Sequence, residues 1–271
     1  MEHITHQQPL LEAFWQRLRS SSQRVLMLDY DGTLAPFTTA RDQAWPYPEV
    51  LQVLRQLCQS GHTRIVIISG RPVSEILALL PVAMELELFG SHGLEHRLPN
   101  GTHSLLKLDV VDEKTLDAIA LALQQSGLKR QIERKPGSVA IHWRGESPHA
   151  IQETLAALTT AWSVKGRDGN LEQRTFDGGI EIRSYLANKG SAVSTIVAHS
   201  RPDAAMAFLG DDATDEDAFL ALGNDGLSVL VRREFRKTAA KCWLVPPAEL
   251  VWFLNQWHTV CSVQTSRECQ T

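Results

Sequence analysis

Long apolar runs are missing from this 271-residue chain, and none approaches the roughly 18 residues of a membrane-spanning helix. The opening Met-Glu-His-Ile-Thr-His-Gln-Gln lacks the basic start and apolar core of a signal peptide, so a cytoplasmic location is expected. Cysteine is scarce: Cys58, Cys242, Cys261 and Cys269 are scattered without metal-ligand spacing. Reduced thiols are therefore expected, with a pairing of the last two left open by spacing alone. Basic charge is not in excess either, since a net charge of −4 gives no basic stripe for nucleic acid. No repeat or low-complexity tract breaks the chain. Its length allows one large α/β domain, or a medium core carrying a smaller inserted one.

What is present centres on Val25-Leu-Met-Leu-Asp-Tyr-Asp-Gly-Thr-Leu-Ala-Pro-Phe37, an apolar run that ends in two aspartates. The run reads as a buried strand that delivers Asp29 and Asp31 to the carboxyl edge of a sheet, where open α/β folds bind ligands. Strand periodicity puts both carboxylates on one side, and their repulsion asks for a cation between them. Mg²⁺ fits, because it prefers carboxylates and waters and works with substrate phosphate. On its own, Asp-Gly is also an ordinary turn after a strand.

Further stretches repeat the pattern of a strand ending in polar residues. Thr63-Arg-Ile-Val-Ile-Ile-Ser-Gly-Arg-Pro72 reads as a second buried strand. It ends in Ser69, Gly70 and Arg71, where a hydroxyl and free backbone N–H groups at a strand-to-helix junction can hold an anion or simply cap the helix. Leu86 to His96 reads as a strand running into the glycine-flanked His92, where the backbone can bend sharply. Lys189 opens a helix against an unfavourable dipole, which asks for a compensating anion. Met206 to Phe219 reads as a strand delivering Gly210, Asp211 and Asp212 to an acidic loop that also holds Asp215.

Helices are expected over residues 9–20, 49–60, 234–241 and 247–257, a strand over 227–231, and disorder in the polar tail from Ser262 to Thr271. Residues 106–184 differ in texture: helices over Asp112–Leu128 and Pro148–Trp162, an alternating strand over Ser138–Arg144, and short strands around Val164 and over Gly179–Arg183. This reads as a small α+β unit whose sheet has one polar face, made of Glu133, Lys135, His142, Arg144, Glu181 and Arg183. Such a face suits sugar hydroxyls, and equally suits solvent.

The stretch Asp29-Tyr-Asp-Gly-Thr33 resembles the DxDGT signature of the haloacid dehalogenase superfamily of phosphatases. Ser69, Lys189 and Gly210-Asp-Asp-Ala-Thr-Asp-Glu216 match its later motifs in order. Gly90-Ser-His-Gly-Leu-Glu95, Ile132 to Arg144 and Gly179-Ile-Glu-Ile-Arg183 resemble strings of the trehalose-6-phosphate phosphatases. The resemblance implies a Rossmann-like parallel-sheet core, residues 1–105 and 185–271, with an inserted α+β cap at 106–184. It implies hydrolysis of trehalose 6-phosphate with Mg²⁺. Asp29 would be the nucleophile and Asp31 the acid and base, with Ser69 and Lys189 on the phosphoryl group. Metal ligands would come from Asp29, Asp31, Asp211, Asp212 and Asp215. Gly70, Arg71, His92, Glu133, Lys135 and Glu181 are the implied substrate contacts. Rivals are a phosphatase for sucrose 6-phosphate, mannosyl-glycerate phosphate or glucosylglycerol phosphate, or a silent partner of a trehalose-6-phosphate synthase. A functional coupling to such a synthase is expected in either case.

Overall fold

The computed structural model describes residues 2–262 except 39, 129, 130, 166–169 and 177. From the amino end run α1 (Glu2–Ser20), β1 (Arg24–Leu28), α2 (Pro48–Ser60), β2 (Arg64–Ile68), α3 (Val73–Leu79), β3 (Glu87–Gly90), β4 (Glu95–Arg97) and β5 (His103–Leu105). Next come α4 (Val110–Leu123), β6 (Ile132–Lys135), β7 (Ser138–His142), α5 (Pro148–Lys165), β8 (Leu171–Phe176) and β9 (Gly179–Ser184). Then follow α6 (Lys189–Ala198), β10 (Ala205–Gly210), α7 (Glu216–Leu222), β11 (Gly226–Val231), β12 (Cys242–Leu244) and α8 (Ala248–Ser262).

The unalternating apolar runs form one eight-stranded sheet in the order β12-β11-β10-β1-β2-β3-β4-β5. It is parallel from β12 to β3 and antiparallel only where β4 and β5 extend it. Both faces are covered, which is why these strands need no polar alternation. Leu26, Leu28, Ile65, Ile67, Leu209 and Val229 pack with α1, α2, α3 and α8, while Val25, Met27, Val66, Ile68 and Phe208 pack with α6 and α7. With Leu28 fully buried at the centre, Leu28→Ala costs about 2–5 kcal/mol. Strand order reverses direction beside β1, between β1 and β10, so the carboxyl ends of these neighbours open the crevice where such sheets bind ligands.

The second sheet is antiparallel, in the order β6-β7-β9-β8. One face packs Val139, Ile141, Ile180 and Ile182 against Leu116, Ile119 and Leu123 of α4 and Leu158 of α5. Register then sets the opposite face: Glu133, Ala140 and Glu181 lie in one cross-strand row, and Lys135, Ser138 and Arg183 in the next.

Several local expectations are corrected. Val164 lies within α5, and the neighbouring strand is β8, whose sequence Leu-Glu-Gln-Arg-Thr-Phe is polar because β8 is an edge strand with half of its residues exposed. Residues 234–241 form no helix; Thr238 Oγ1 and the Ala239 N–H instead donate to the Glu216 carboxylate at 2.7 and 2.8 Å. Helix α1 starts at Glu2 and carries Pro9 inside it. Strands β4, β5 and β12 had no sequence signal, being three residues each. Cys58, Cys242 and Cys261 are free thiols. Ser262, expected to open a disordered tail, instead closes α8, and the rest of that expectation, with Cys269, lies outside the described residues.

Candidate active site

Asp29 sits at the end of β1, its N–H bonded to the Leu209 carbonyl of β10 at 2.9 Å and its side chain buried. Lys189 is the first residue of α6, whose Asn188 cap accepts the Ser191 N–H at 2.7 Å. The Lys189 ammonium donates to Asp29 Oδ1 at 2.6 Å and to Asp215 Oδ1 at 2.7 Å. Asp215 accepts the backbone N–H groups of Asp211 and Asp212 on its other oxygen, at 2.9 Å each. The lysine thus faces the carboxylates that its position at a helix start asks for. Burial works against its charge, but Asp215 and Asp29 outweigh that and raise its pKa well above the usual value.

Three carboxylates, Asp29, Asp211 and Asp215, bring oxygens within 4.8 Å of one another, and the Lys189 ammonium bonds two of them. Among the described residues, none donates a hydrogen bond to either buried Asp211 oxygen, and the Arg232 guanidinium stands 3.9 Å away. Burial, with Asp29 and Asp215 adding repulsion, pushes the Asp211 carboxyl well above its usual range. Burial pushes Asp29 up to about 7, with Asp215 adding to it and Lys189 opposing. Such an oxygen-only, anion-rich set fits a divalent cation. Gly32 makes room for the Asp211 side chain: a Cβ there would lie 2.3 Å from Asp211 Oδ2, on a backbone with φ of +80°. Of the five metal candidates, Asp29, Asp211 and Asp215 come together. The other two carboxylates turn elsewhere, Asp212 to the Ala213 N–H at 2.6 Å and Asp31 to Arg71.

Arg71 is buried and grips both Asp31 oxygens, Nε to Oδ2 at 2.6 Å and Nη2 to Oδ1 at 2.8 Å. Its Nη1 donates to Glu75 of α3 at 2.9 Å. Ser69, at the end of β2, accepts the Arg71 N–H on its hydroxyl at 3.1 Å. Gly70 closes against the His92 ring, where a Cβ would lie 2.5 Å away. Ser91 and His92 both adopt left-handed backbone, φ 48° and 56°, and their N–H groups bond the Arg71 and Ser69 carbonyls at 2.8 and 2.9 Å. Two successive non-glycine residues in that region mark a constrained turn.

The polar face of the second sheet meets this turn. His92 Nε2 lies 3.1 Å from Glu181 Oε2, while Ser138 Oγ and Lys135 Nζ reach Glu181 Oε1 at 2.7 and 3.4 Å. Burial works against the Glu181 carboxylate, yet His92, Lys135 and the Ser138 hydroxyl outweigh it and hold its pKa well below the usual value. Burial pulls His92 and Lys135 below their ordinary values. Glu133 meets His142 at 2.9 Å and Lys135 at 3.7 Å. Arg183 points away, to Glu172 and to Asp217 of α7, both at 2.8 Å.

A cavity of about 1050 Å³ joins both halves, lined by Asp29, Asp31, Ser69, Gly70, Arg71, His92, Lys135, Glu181, Lys189, Asp211 and Asp212. Sequence reasoning missed Arg41, Phe37 and Glu75. Arg41 and Phe37 lie in the loop after Asp31, whose path carries no periodic signal.

A model of the trehalose-phosphatase family matches residues 27–241. The chain belongs to that family. It is 31% identical over 244 residues to trehalose-phosphate phosphatase of Mycobacterium marinum, covering 86% of this chain and 60% of that protein. The corresponding protein of Mycobacterium tuberculosis is 29% identical over 252 residues, with 86% and 61% covered. The chain therefore spans about three fifths of the length of these relatives. The C-terminal domain of C. albicans trehalose-6-phosphate phosphatase shares the fold, with a TM-score of 0.75 at 23% identity over 93% of this chain and 96% of that one. The α/β architecture expected from the strand pattern is the one these family structures have. Among the described residues, no helix is long and apolar enough to cross a membrane.

Proposed function

We propose that the chain hydrolyses trehalose 6-phosphate to trehalose and phosphate, with the α+β unit as a cap and Mg²⁺ as the cation, in a cytoplasmic setting. The observation that supports this most is the juxtaposition of the Asp29–Lys189–Asp215 cluster and Asp211, whose oxygens accept no hydrogen bond among the described residues, with the Glu181–Lys135–His92 network across one cavity. Asp29, Asp211 and Asp215 would hold the cation, which supplies charge neutralisation for the phosphoryl oxygens when bound.

In this reading Asp29 Oδ2 attacks phosphorus, because Lys189 already engages Oδ1. The P–O6 bond breaks, the phosphoryl group passes to Asp29, and the leaving sugar oxygen takes a proton. Water then attacks phosphorus, loses a proton and frees Asp29. Asp31 gives and later accepts these protons, so at least one of its two bonds to Arg71 has to open during turnover. Ser69 Oγ and Lys189 Nζ orient the phosphoryl oxygens. Glu181, Lys135 and His92 read the sugar.

The test is phosphate release from a panel of sugar phosphates with Mg²⁺, with EDTA, and with Asp29→Asn. Trehalose 6-phosphate is expected to be the best substrate, with EDTA and Asp29→Asn each abolishing turnover. Activity surviving in Asp29→Asn removes the nucleophile, and faster turnover of sucrose 6-phosphate removes the substrate. Glu181→Ala is expected to impair trehalose 6-phosphate far more than a small phosphate ester; equal losses contradict a sugar-reading role.

A further inference from the structure

The loop that leaves the nucleophile strand, residues 35–48, touches the smaller unit at two points. Arg41 donates Nη1 to Glu133 of β6, lies 3.4 Å from His142 Nε2 of β7, and donates Nη2 to Glu75 Oε2 of α3 at 3.1 Å. Phe37 lies with its ring centroid 4.8 Å from the Arg144 guanidinium carbon. The loop is itself fixed to the nucleophile strand's end: Tyr30, between the two aspartates, donates its hydroxyl to the Ala44 carbonyl at 2.7 Å, and the Tyr47 N–H bonds the Leu34 carbonyl at 3.0 Å. Arg41 is therefore held in register with Asp29 and Asp31 while its guanidinium reaches the other unit.

The Glu75 oxygen that accepts Arg41 also accepts Arg71, which holds Asp31. An unbroken run of ion pairs thus joins Glu133, Arg41, Glu75, Arg71 and Asp31 across the cavity. Arg41 and Glu75 side chains are 33% and 39% exposed, so these outer pairs contribute little to global stability and can open and close. Their geometric effect is larger, because they set where the sugar-reading face sits above the nucleophile.

We propose that Arg41 is a positioning residue, a latch between Glu133 and Glu75 that registers the cap over Asp29 and Asp31 so that only a substrate spanning both halves gains from it. The idea rests on the phosphatase reading above, and it assigns Arg41 no contact with the reacting atoms. Losing the latch leaves the chemistry of Asp29, Lys189 and Asp211 in place. It misplaces Glu181 and Lys135 relative to the phosphoryl site.

Arg41→Ala is expected to lower kcat/KM for trehalose 6-phosphate about ten- to a hundredfold, the scale of a misplacement near 1 Å. Turnover of p-nitrophenyl phosphate, too small to reach the cap, should change by less than about threefold, and Arg41→Lys should recover part of the loss. In a double-mutant cycle, Arg41→Ala added to Glu133→Ala should lower kcat/KM little further, because one removes the other's partner. Fully additive losses, or equal losses on both substrates, overturn the latch. Hydrogen exchange of the free protein needs no turnover: Arg41→Ala should speed exchange of the β6 amides and leave those of β10 unchanged. Unchanged β6 exchange overturns the latch even if trehalose 6-phosphate is the substrate. Absence of wild-type turnover on trehalose 6-phosphate overturns the substrate reading whatever the exchange shows.

Discussion

Replacing Lys189 by methionine keeps the apolar stem and deletes the one ammonium that lies between Asp29 and Asp215 at 2.6 and 2.7 Å. Side-chain exposures of 3% for Lys189, 5% for Asp29 and 0% for Asp215 leave almost no solvent to screen the change. Removing one partner of such a buried pair costs about 3–5 kcal/mol, because the carboxylates left behind repel each other in a poorly polarisable site. For a chain of this size that lowers Tm by roughly 6–20 °C, at about 2–4 °C per kcal/mol. The assay is thermal unfolding in EDTA and again in Mg²⁺. Lys189→Met should melt well below wild type in EDTA, and Mg²⁺ should raise its Tm at least as much as it raises that of wild type. A variant that melts within about 2 °C of wild type in EDTA would falsify the account of Lys189 as the counter-charge that makes the cluster tolerable.

Asp211→Asn should act in the opposite sense, because both oxygens of Asp211 are buried without a hydrogen bond. Removing that charge should raise Tm in EDTA and abolish the Mg²⁺-dependent rise; a lower Tm in EDTA contradicts the reading. Gly32→Ala places a Cβ 2.3 Å from Asp211 Oδ2 on a left-handed backbone, so it should cost at least about 1–2 kcal/mol and weaken Mg²⁺ binding measured by calorimetry. Wild-type Mg²⁺ affinity in that variant would show that the loop relaxes freely. His142 is pulled down from 6.5 to about 4 by burial, with Lys135 and Arg41 adding to it. The folded state therefore binds fewer protons than the unfolded chain between pH 6.5 and 4, and His142 makes stability fall as pH falls through that window. With the ring 35% exposed the discounted loss is about 1–2 kcal/mol, and urea unfolding of His142→Gln should show a shallower decline than wild type from pH 7 to 4.5.

The core of the fold is legible because β1, β2, β10 and β11 are covered on both faces and so read as apolar runs, interrupted only by Ser228 in β11. Asp29, Ser69 and Asp211 follow directly from where those runs stop. Lys189 is legible from its place at a helix start. What sequence cannot carry is the partner of a side chain across two elements. Asp31 lies on the strand side expected for a metal ligand, yet the Arg71 guanidinium, forty positions on, takes both of its oxygens. Edge strand β8 and the stretch 234–241 were misread for a related reason. Their structure is set by partners elsewhere, β9 for the one and Glu216 for the other, and not by local periodicity.

The two sides of the cavity differ in how far they are satisfied. On the core side, Asp29 and Asp215 share the Lys189 ammonium, while Asp211 accepts no hydrogen bond among the described residues and has Arg232 only at 3.9 Å, so the cluster has room for further positive charge. On the other side, Glu181 is already bonded by Ser138, Lys135 and His92 within 3.4 Å. In the proposed reading, a cation and a phosphoryl group would therefore gain by entering the core. A sugar gains only by exchanging its hydroxyls for bonds the network already makes. An ester without hydroxyls leaves that network intact and neither gains nor loses there, whereas a sugar that breaks the Lys135–Glu181 contact without replacing it leaves buried charges unpaired. In the proposed reading, selectivity would come from rejecting the wrong sugar more than from attracting the right one, which is how a buried polar site discriminates most strongly.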